Sequence, residues 1–343
     1  MPRAVKLQKA VRSLTGQLFL ICAATAAGIW LSGSGGLADS GAPLAKSTKS
    51  AAATAFVTNQ IGNSLSVVDL AASKQIAEIA IGGKPAGVAL SPDGSRAYVS
   101  APDGREVVAV DTAARTVMNR APVGQGPLGI AVNPRYGTVY VADWYEHRLY
   151  ALDPATLQVT ASVATGQSPS GVAVTADGMT ILTADRDSNQ VSVIDAASFK
   201  VTATIPTGER PFGVTIDENA GRAYTANVAS NSMTVLDLGR RVKVRDVPVG
   251  LRPYAVARAG DRIFVTNQHG ESVSVLDAAT FDLVKSIRVG SFPEGIEADP
   301  GGSSVWVACW DSNTLEQIDT ATLTVSQTIP VGEGPRAFGR FLH

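Results

Sequence analysis

Apolar and polar residues alternate in short bursts along most of this chain. In "QVSVID" (Gln190–Asp195) and "KVTATI" (Lys200–Ile205) every second position is β-branched, and the neighbouring bursts "ILTAD" and "FGVTI" are as short. A period of two, interrupted every few residues by Gly, Pro, Asn or Asp, predicts strands joined by tight turns. Beyond the first 38 residues no apolar stretch is long enough to predict an ordinary helix.

The bursts recur in a fixed order. "FVTNQIGNSLSVVD" at Phe56–Asp69 returns as "FVTNQHGESVSVLD" at Phe264–Asp277. The acidic residue that ends this phrase appears as Asp69, Asp111, Asp153, Asp195, Asp237, Asp277 and Asp319, spaced by 42 residues except for one interval of 40. A second marker, Gly-x-x-Pro, keeps the same register: Gly82/Pro85, Gly124/Pro127, Gly166/Pro169, Gly208/Pro211, Gly250/Pro253, Gly290/Pro293 and Gly332/Pro335. Two independent markers therefore give seven copies of about 42 residues, each with four predicted strands. One four-stranded sheet cannot bury both faces, whereas seven stacked radially can, which accounts for Val and Ile on both sides of the pleat. The expected fold is all-β, a seven-bladed β-propeller. The copies begin in mid-blade, so "RAFGRFL" (Arg336–Leu342) is expected to complete the N-terminal blade and close the ring, removing open edges.

These repeats resemble the YVTN β-propeller family, including YncE-like and surface-layer-type propellers. The naming phrase stands here as "FVTN" at Phe56–Asn59 and Phe264–Asn267, with "YVSA", "YVAD", "LTAD", "YTAN" and "WVAC" in the other copies. The resemblance spans residues 55–343 and implies the fold. It leaves the activity open, because similar propellers serve as surface-layer proteins, lactonases, lyases and amine-dehydrogenase large subunits.

The first 38 residues are unlike the rest. Arg3, Lys6, Lys9 and Arg12 precede the uncharged "LFLICAATAAGIWL" (Leu18–Leu31), and small residues surround Ala38. This is the layout of a secretory signal, and the apolar core is short of the roughly 20 residues of a membrane span. Residues 1–38 are thus expected to be a signal peptide, 39–54 ("DSGAPLAKSTKSAAAT") a flexible linker, and 55–343 the propeller, in a periplasmic or extracellular protein. The expectation includes no stable membrane span after signal removal, and a monomer.

Charge changes the picture once the signal is set aside. It holds four of the 29 basic residues and none of the 30 acidic ones, leaving 25 against 30 and a net charge of −5. That balance argues against nucleic acid as a general partner. Cys22 falls in the signal, so Cys309 has no cysteine to pair with inside the mature chain, and the fold is expected to rest on packing.

Several apparent motifs dissolve into the repeat. "GQGPLG" (Gly124–Gly129) has the dinucleotide spacing, but the same loop recurs in every copy and leads into a strand, not a helix. "DRDSNQ" (Asp185–Gln190) imitates a calcium loop yet has Gln190 where Gly is required and Ala196 where Glu is required. The sevenfold Asp precedes a hairpin, where an Asx turn explains it. Trp310–Asp311 occurs once and is no repeat signature. The three histidines, His147, His269 and His343, form no metal spacing with Cys309, which occupies the slot of Asn59, Asn227 and Asn267 and is expected to be a small buried side chain. No metal, cofactor or catalytic residue is assigned.

What stands out is departure from the repeat beside the prolines. The flanking pairs are bland in early copies, Lys84/Ala86, Gly126/Leu128 and Ser168/Ser170, and become Arg210/Phe212, Arg252/Tyr254, Phe292/Glu294 and Gly334/Arg336 later. His269 and Trp310 belong to loops expected on the same face. Guanidinium groups suit carboxylate or phosphate, and aromatic rings suit flat apolar surface. A ligand-binding arc of Arg210, Phe212, Arg252, Tyr254, Phe292, Glu294, Arg336, His269 and Trp310 is therefore expected at one mouth of the channel, taking a small anionic ligand or a protein partner. Because early copies hold small residues in these slots, Arg210, Arg252, Tyr254 and Arg336 are expected to matter little for folding.

Two function classes follow. One is a noncatalytic exported binding propeller. The other, implied by the resemblance, is an enzyme or subunit of lactonase, lyase or amine-dehydrogenase large-subunit type, in the last case with its redox centre on a partner chain.

Overall fold

The computed structural model describes residues 53–343. The expected signal and the linker up to residue 52 lie outside the described residues, and the first strand, Thr54–Asn59, begins on the last residue assigned to the linker. Every copy folds as an antiparallel meander running from the ring centre outward. The innermost strands of the second to seventh blades are Gly87–Leu90, Pro127–Val132, Pro169–Val174, Pro211–Asp217, Pro253–Ala259 and Pro293–Ala298. The first blade contributes Thr54–Asn59, Ser64–Asp69 and Lys74–Ala80. Among the described residues no helix is long and apolar enough to cross a membrane.

Burial follows from the radial stacking. In the fourth blade the strands Thr180–Asp185 and Gln190–Asp195 are buried at nearly every position, whereas the outermost, Lys200–Pro206, alternates between exposed and half-buried apart from the buried Ile205. Inner strands lie between two neighbouring sheets and so need apolar residues on both faces, while the outer strand packs only part of its length.

Chain closure uses both termini. The C-terminal segment lies antiparallel to the first strand, with Ala55 opposite Leu342 and Asn59 opposite Pro335. The Phe56 N–H donates to Phe341 O at 2.9 Å and His343 N–H to Thr54 O at 2.8 Å. Its middle, Phe338–Arg340, also pairs in parallel with Gly87–Leu90 of the second blade. The last segment thus completes the first blade as the sequence leads one to expect, and in addition binds that blade to the second.

Both markers have local physical causes. Each marker Asp accepts backbone N–H groups across its hairpin, as in Ala72 N–H to Asp69 Oδ1 at 2.8 Å and Thr322 N–H to Asp319 Oδ1 at 2.7 Å. These bonds, together with the Ser198 hydroxyl as the larger cause at Asp195, hold the carboxyls of Asp153, Asp195, Asp277 and Asp319 below the usual carboxylate range. They support a left-handed residue one place further on, from Phe199 at φ 50 to Phe281 at φ 66. The seven carboxylates are turn acceptors, not a ring around the channel.

The Pro of the second marker starts the inner strand, and two places later most copies have Gly. A Cβ built on Gly171 would lie 2.6 Å from Phe212 O, and one on Gly213 would lie 2.8 Å from Tyr254 O. Near the axis, neighbouring blades approach backbone to backbone, and a side chain at this slot would collide with the next carbonyl.

The Asn of the naming phrase is structural too. Asn227 Nδ2 donates to Ser232 Oγ at 2.9 Å and to Thr234 Oγ1 at 2.8 Å, and Asn267 repeats the pattern with Ser272 and Ser274. Asp143 does the equivalent work as an acceptor, taking Gln125 N–H and Gly126 N–H at 2.7 and 2.8 Å. Asp185 accepts from Gly166 N–H and Ser192 Oγ, which accounts for its place in the calcium-like stretch. Cys309 is fully buried in the same slot, and burial pushes its thiol up.

Candidate functional site

The loops leading into the inner strands share one face with the loops between second and third strands. Their contact is a recurring hydrogen bond: Asn63, Asn189, Asn231 and Asn313 accept the N–H of Lys84, Arg210, Arg252 and Gly334, respectively. His147 replaces Asn in this role, its Nδ1 accepting Ser168 N–H at 3.0 Å. His147 is therefore a turn acceptor, and the imidazole tautomer that it needs carries its proton on Nε2.

Residues on either side of each proline go to different places. Those before it (Lys84, Ser168, Arg210, Arg252, Phe292) adopt left-handed backbone with φ between 50 and 56, and of them Lys84, Arg210 and Arg252 are exposed on the rim, Phe292 is half-buried and Ser168 is buried. Those after it (Ala86, Leu128, Ser170, Phe212, Tyr254, Glu294, Arg336) sit at the start of the innermost segments. The expected arc is accordingly two layers, an inner plug and an outer rim.

The plug holds Phe212, Tyr254, Glu294 and Arg336. Arg336 Nε donates to Glu294 Oε2 at 2.6 Å, with side chains only 14% and 6% exposed, and Arg336 also donates to the Tyr254 hydroxyl. Gln268 Nε2 donates to the other Glu294 oxygen at 2.7 Å. Burial works against the Arg336 charge, but Glu294 and Tyr254 outweigh it and hold its pKa above the ordinary value; burial likewise pushes the Tyr254 phenol up. The Phe212 and Tyr254 rings lie 4.0 Å apart, and Phe338 meets Phe212 at 5.0 Å. Trp144 closes on Phe212 at 6.2 Å and is covered by Arg186 at 5.2 Å.

This corrects part of the sequence reading. Arg336 and Tyr254 were expected to matter little for folding, yet both are interior, and the Arg336 charge is spent on Glu294. The reason is depth: one residue past the proline, the side chain points among the converging strands instead of along the rim.

The rim keeps the accessible cations. Arg210, Arg252 and His269, with Leu251, Val228, Ala229 and Asn231, line a depression of about 360 Å³. Arg210 lies 3.8 Å from Asp187, a loose pairing. Arg252 has no ion pair among the described residues and is exposed. From this depression an aromatic ladder runs along the face: His269 to Phe292 at 5.2 Å and Phe292 to Trp310 at 6.2 Å, with Trp310 Nε1 donating to Gln60. Sequence reasoning missed Trp144, Arg186, Gln268 and Phe338. Only Phe338 carried a signal, standing in a slot that the other copies fill with Val or Ile.

Among the described residues no group of three His, Cys, Asp or Glu side chains is arranged to hold a metal ion. The arrangement offers guanidinium donors at a solvent-open surface beside flat apolar rings.

Comparison with known proteins agrees with this architecture. Residues 132–222 match the family described as YNCE-like beta-propeller. No curated protein matches the chain. A hydrazine synthase chain of Kuenenia stuttgartiensis superposes with a TM-score of 0.72 at 23% identity, covering 78% of this chain and 93% of that one. A functionally unknown protein of Desulfotomaculum acetoxidans gives 0.71 at 15% identity, with 83% and 99% covered. The dihydro-heme d1 dehydrogenase NirN, solved in complex with DHE, gives 0.64 at 16% identity, with 82% and 74% covered. At these identities the likeness concerns the fold alone. The seven blades make this chain a seven-bladed β-propeller, and its repeats over residues 132–222 are similar to those of YncE-like propellers.

Proposed function

We propose that this chain is an exported, noncatalytic β-propeller that binds a small anionic ligand, or an acidic patch on a protein partner, through the Gly-x-x-Pro face of its channel. The observation that carries the reading is Arg252, an exposed guanidinium without a carboxylate partner among the described residues, facing the same depression as Arg210 and His269. A planar fork left open beside aromatic rings is suited to a carboxylate or phosphate on a flat body. Export rests on the basic start, short apolar core and small residues near Ala38.

Calorimetric titration with benzoate, phthalate and inorganic phosphate tests the binding. Arg210→Ala and Arg252→Ala should each weaken the best of these by about ten-fold to a hundred-fold, the equivalent of one charge-assisted hydrogen bond. Lys84→Ala, on the bland arc, should bind like the parent. Unchanged binding in both arginine variants would remove the rim from consideration.

The hydrazine synthase and NirN likenesses support a second reading, a propeller that serves a redox enzyme. Co-purification from the native host distinguishes the two, since a haem-bearing partner on this face would favour the second.

A further inference from the structure

Beyond the plug the channel opens again toward the opposite face into a second cavity of about 470 Å³. This is within the roughly 300–1,000 Å³ typical of small-molecule sites. Its wall is the third to fifth residues after each proline. In three copies these read Val or Ile, then Ala, then an aliphatic residue: Val88-Ala89-Leu90, Ile130-Ala131-Val132 and Val172-Ala173-Val174. Many are only half-buried, so apolar side chains face an open lumen.

The charged and aromatic departures from this wall gather on three adjacent blades, the sixth, seventh and first. Phe338 replaces the aliphatic residue in the first blade and forms the floor against Phe212 and Tyr254, separating this cavity from the opposite rim. Glu297 replaces Ala in the seventh, and Arg258 and Arg340 replace the last aliphatic residue in the sixth and first. The polar groups differ in how far they are engaged. Arg258 is bound to Asp217 at 2.9 Å. Glu218 accepts Ala176 N–H at 2.6 Å, and Glu297 accepts Phe341 N–H and Leu342 N–H at 2.6 and 2.8 Å. Burial also pushes the Glu297 carboxyl up to about 7, which reduces its claim on a nearby cation. Arg340 is exposed and has no hydrogen bond or ion pair from its side chain among the described residues.

We propose that this second cavity binds a small amphiphilic monocarboxylate, with its apolar body along the Val, Ile and Ala wall above Phe338 and its carboxylate on the Arg340 guanidinium. An apolar lumen with one guanidinium at its mouth that makes no hydrogen bond or ion pair, and is held only through a longer-range attraction to Glu297, matches a ligand with one anionic end. A dianion would meet Glu297 and Glu218, and a cation would meet Arg258 and Arg340.

Octanoate is the probe, titrated calorimetrically into the purified full chain beside octan-1-ol and octylammonium. Saturable binding of one octanoate per chain is expected, stronger than that of either analogue. Arg340→Gln should weaken it about ten-fold or more. This substitution is at an exposed position, so the melting temperature should stay at the parent's value. Ala131→Trp, which fills the lumen, should abolish binding and serves as the second variant. Arg210→Ala and Arg252→Ala should leave octanoate binding unchanged, which separates this site from the rim. The proposal is overturned if octanoate fails to saturate, if Arg340→Gln binds like the parent, or if the two rim variants abolish binding.

Discussion

Arg336 and Glu294 form a 2.6 Å ion pair inside the ring, joining the last inner segment of the chain to the innermost strand of the seventh blade. Because that last segment also completes the first blade, the pair ties the closing joint of the propeller to its neighbour. Its partners Tyr254 and Gln268 come from the sixth blade, so three successive blades meet at one carboxylate and one guanidinium.

Removing one member should cost much more than removing both. Arg336→Met leaves Glu294 buried without its cation and is expected to destabilise by about 3–5 kcal/mol, whereas Arg336→Met with Glu294→Leu should recover most of that loss. Urea denaturation of the two singles and the double measures it; equal losses in all three would mean that the pair contributes through packing alone.

Closure predicts a difference between two truncations. Deleting residues 336–343 removes the partner of Thr54–Asn59 and exposes the Gly87–Leu90 edge, so cooperative melting should be lost. Deleting residues 39–52 should leave the melting temperature unchanged. Scanning calorimetry of both chains decides the matter.

Gly129 tests the close approach at the axis. A Cβ there would overlap Ser170 O, a backbone atom of the next blade that has no room to retreat. Gly129→Ala should cost at least the about 1–3 kcal/mol of overpacking. Gly239→Ala, where the nearest atom is Asp237 Oδ1 at 3.6 Å, should be within about 0.5 kcal/mol of the parent.

Glu297 sets a pH dependence. Its folded pKa is raised to about 7 from an ordinary 4.5. Between these values the folded state holds a proton that the unfolded chain has released. Its contribution is therefore fully present below about pH 4.5 and is lost as pH rises through about 7. Glu297→Gln should flatten that decline, bringing the variant's stability closer to, or above, the parent's at pH 8. Denaturation midpoints at pH 5, 6, 7 and 8, all approximate settings around this window, give the comparison. A parent whose stability shows no dependence on Glu297 across that range would place the carboxyl in ordinary solvent.

The sequence by itself determined the ring. Seven registers of Asp and Gly-x-x-Pro, with strands of period two, demand seven equal sheets, and local turn chemistry at residues such as Asp69 and Asp319 enforces each one without help from distant parts of the chain. It also located the departures from the repeat, because Arg210, Arg252, Tyr254 and Arg336 stand in slots where other copies tolerate small side chains. Tertiary structure decided their depth. Positions two residues apart around a proline look equivalent along the chain, yet one lies on the rim and the other among converging strands, so Arg252 stays open while Arg336 is committed to Glu294. The partnerships of Gln268 with Glu294 and of Phe338 with Phe212 join residues 26 and 126 positions apart. Such pairings depend on where the closed ring brings separate blades together, and no local pattern records that.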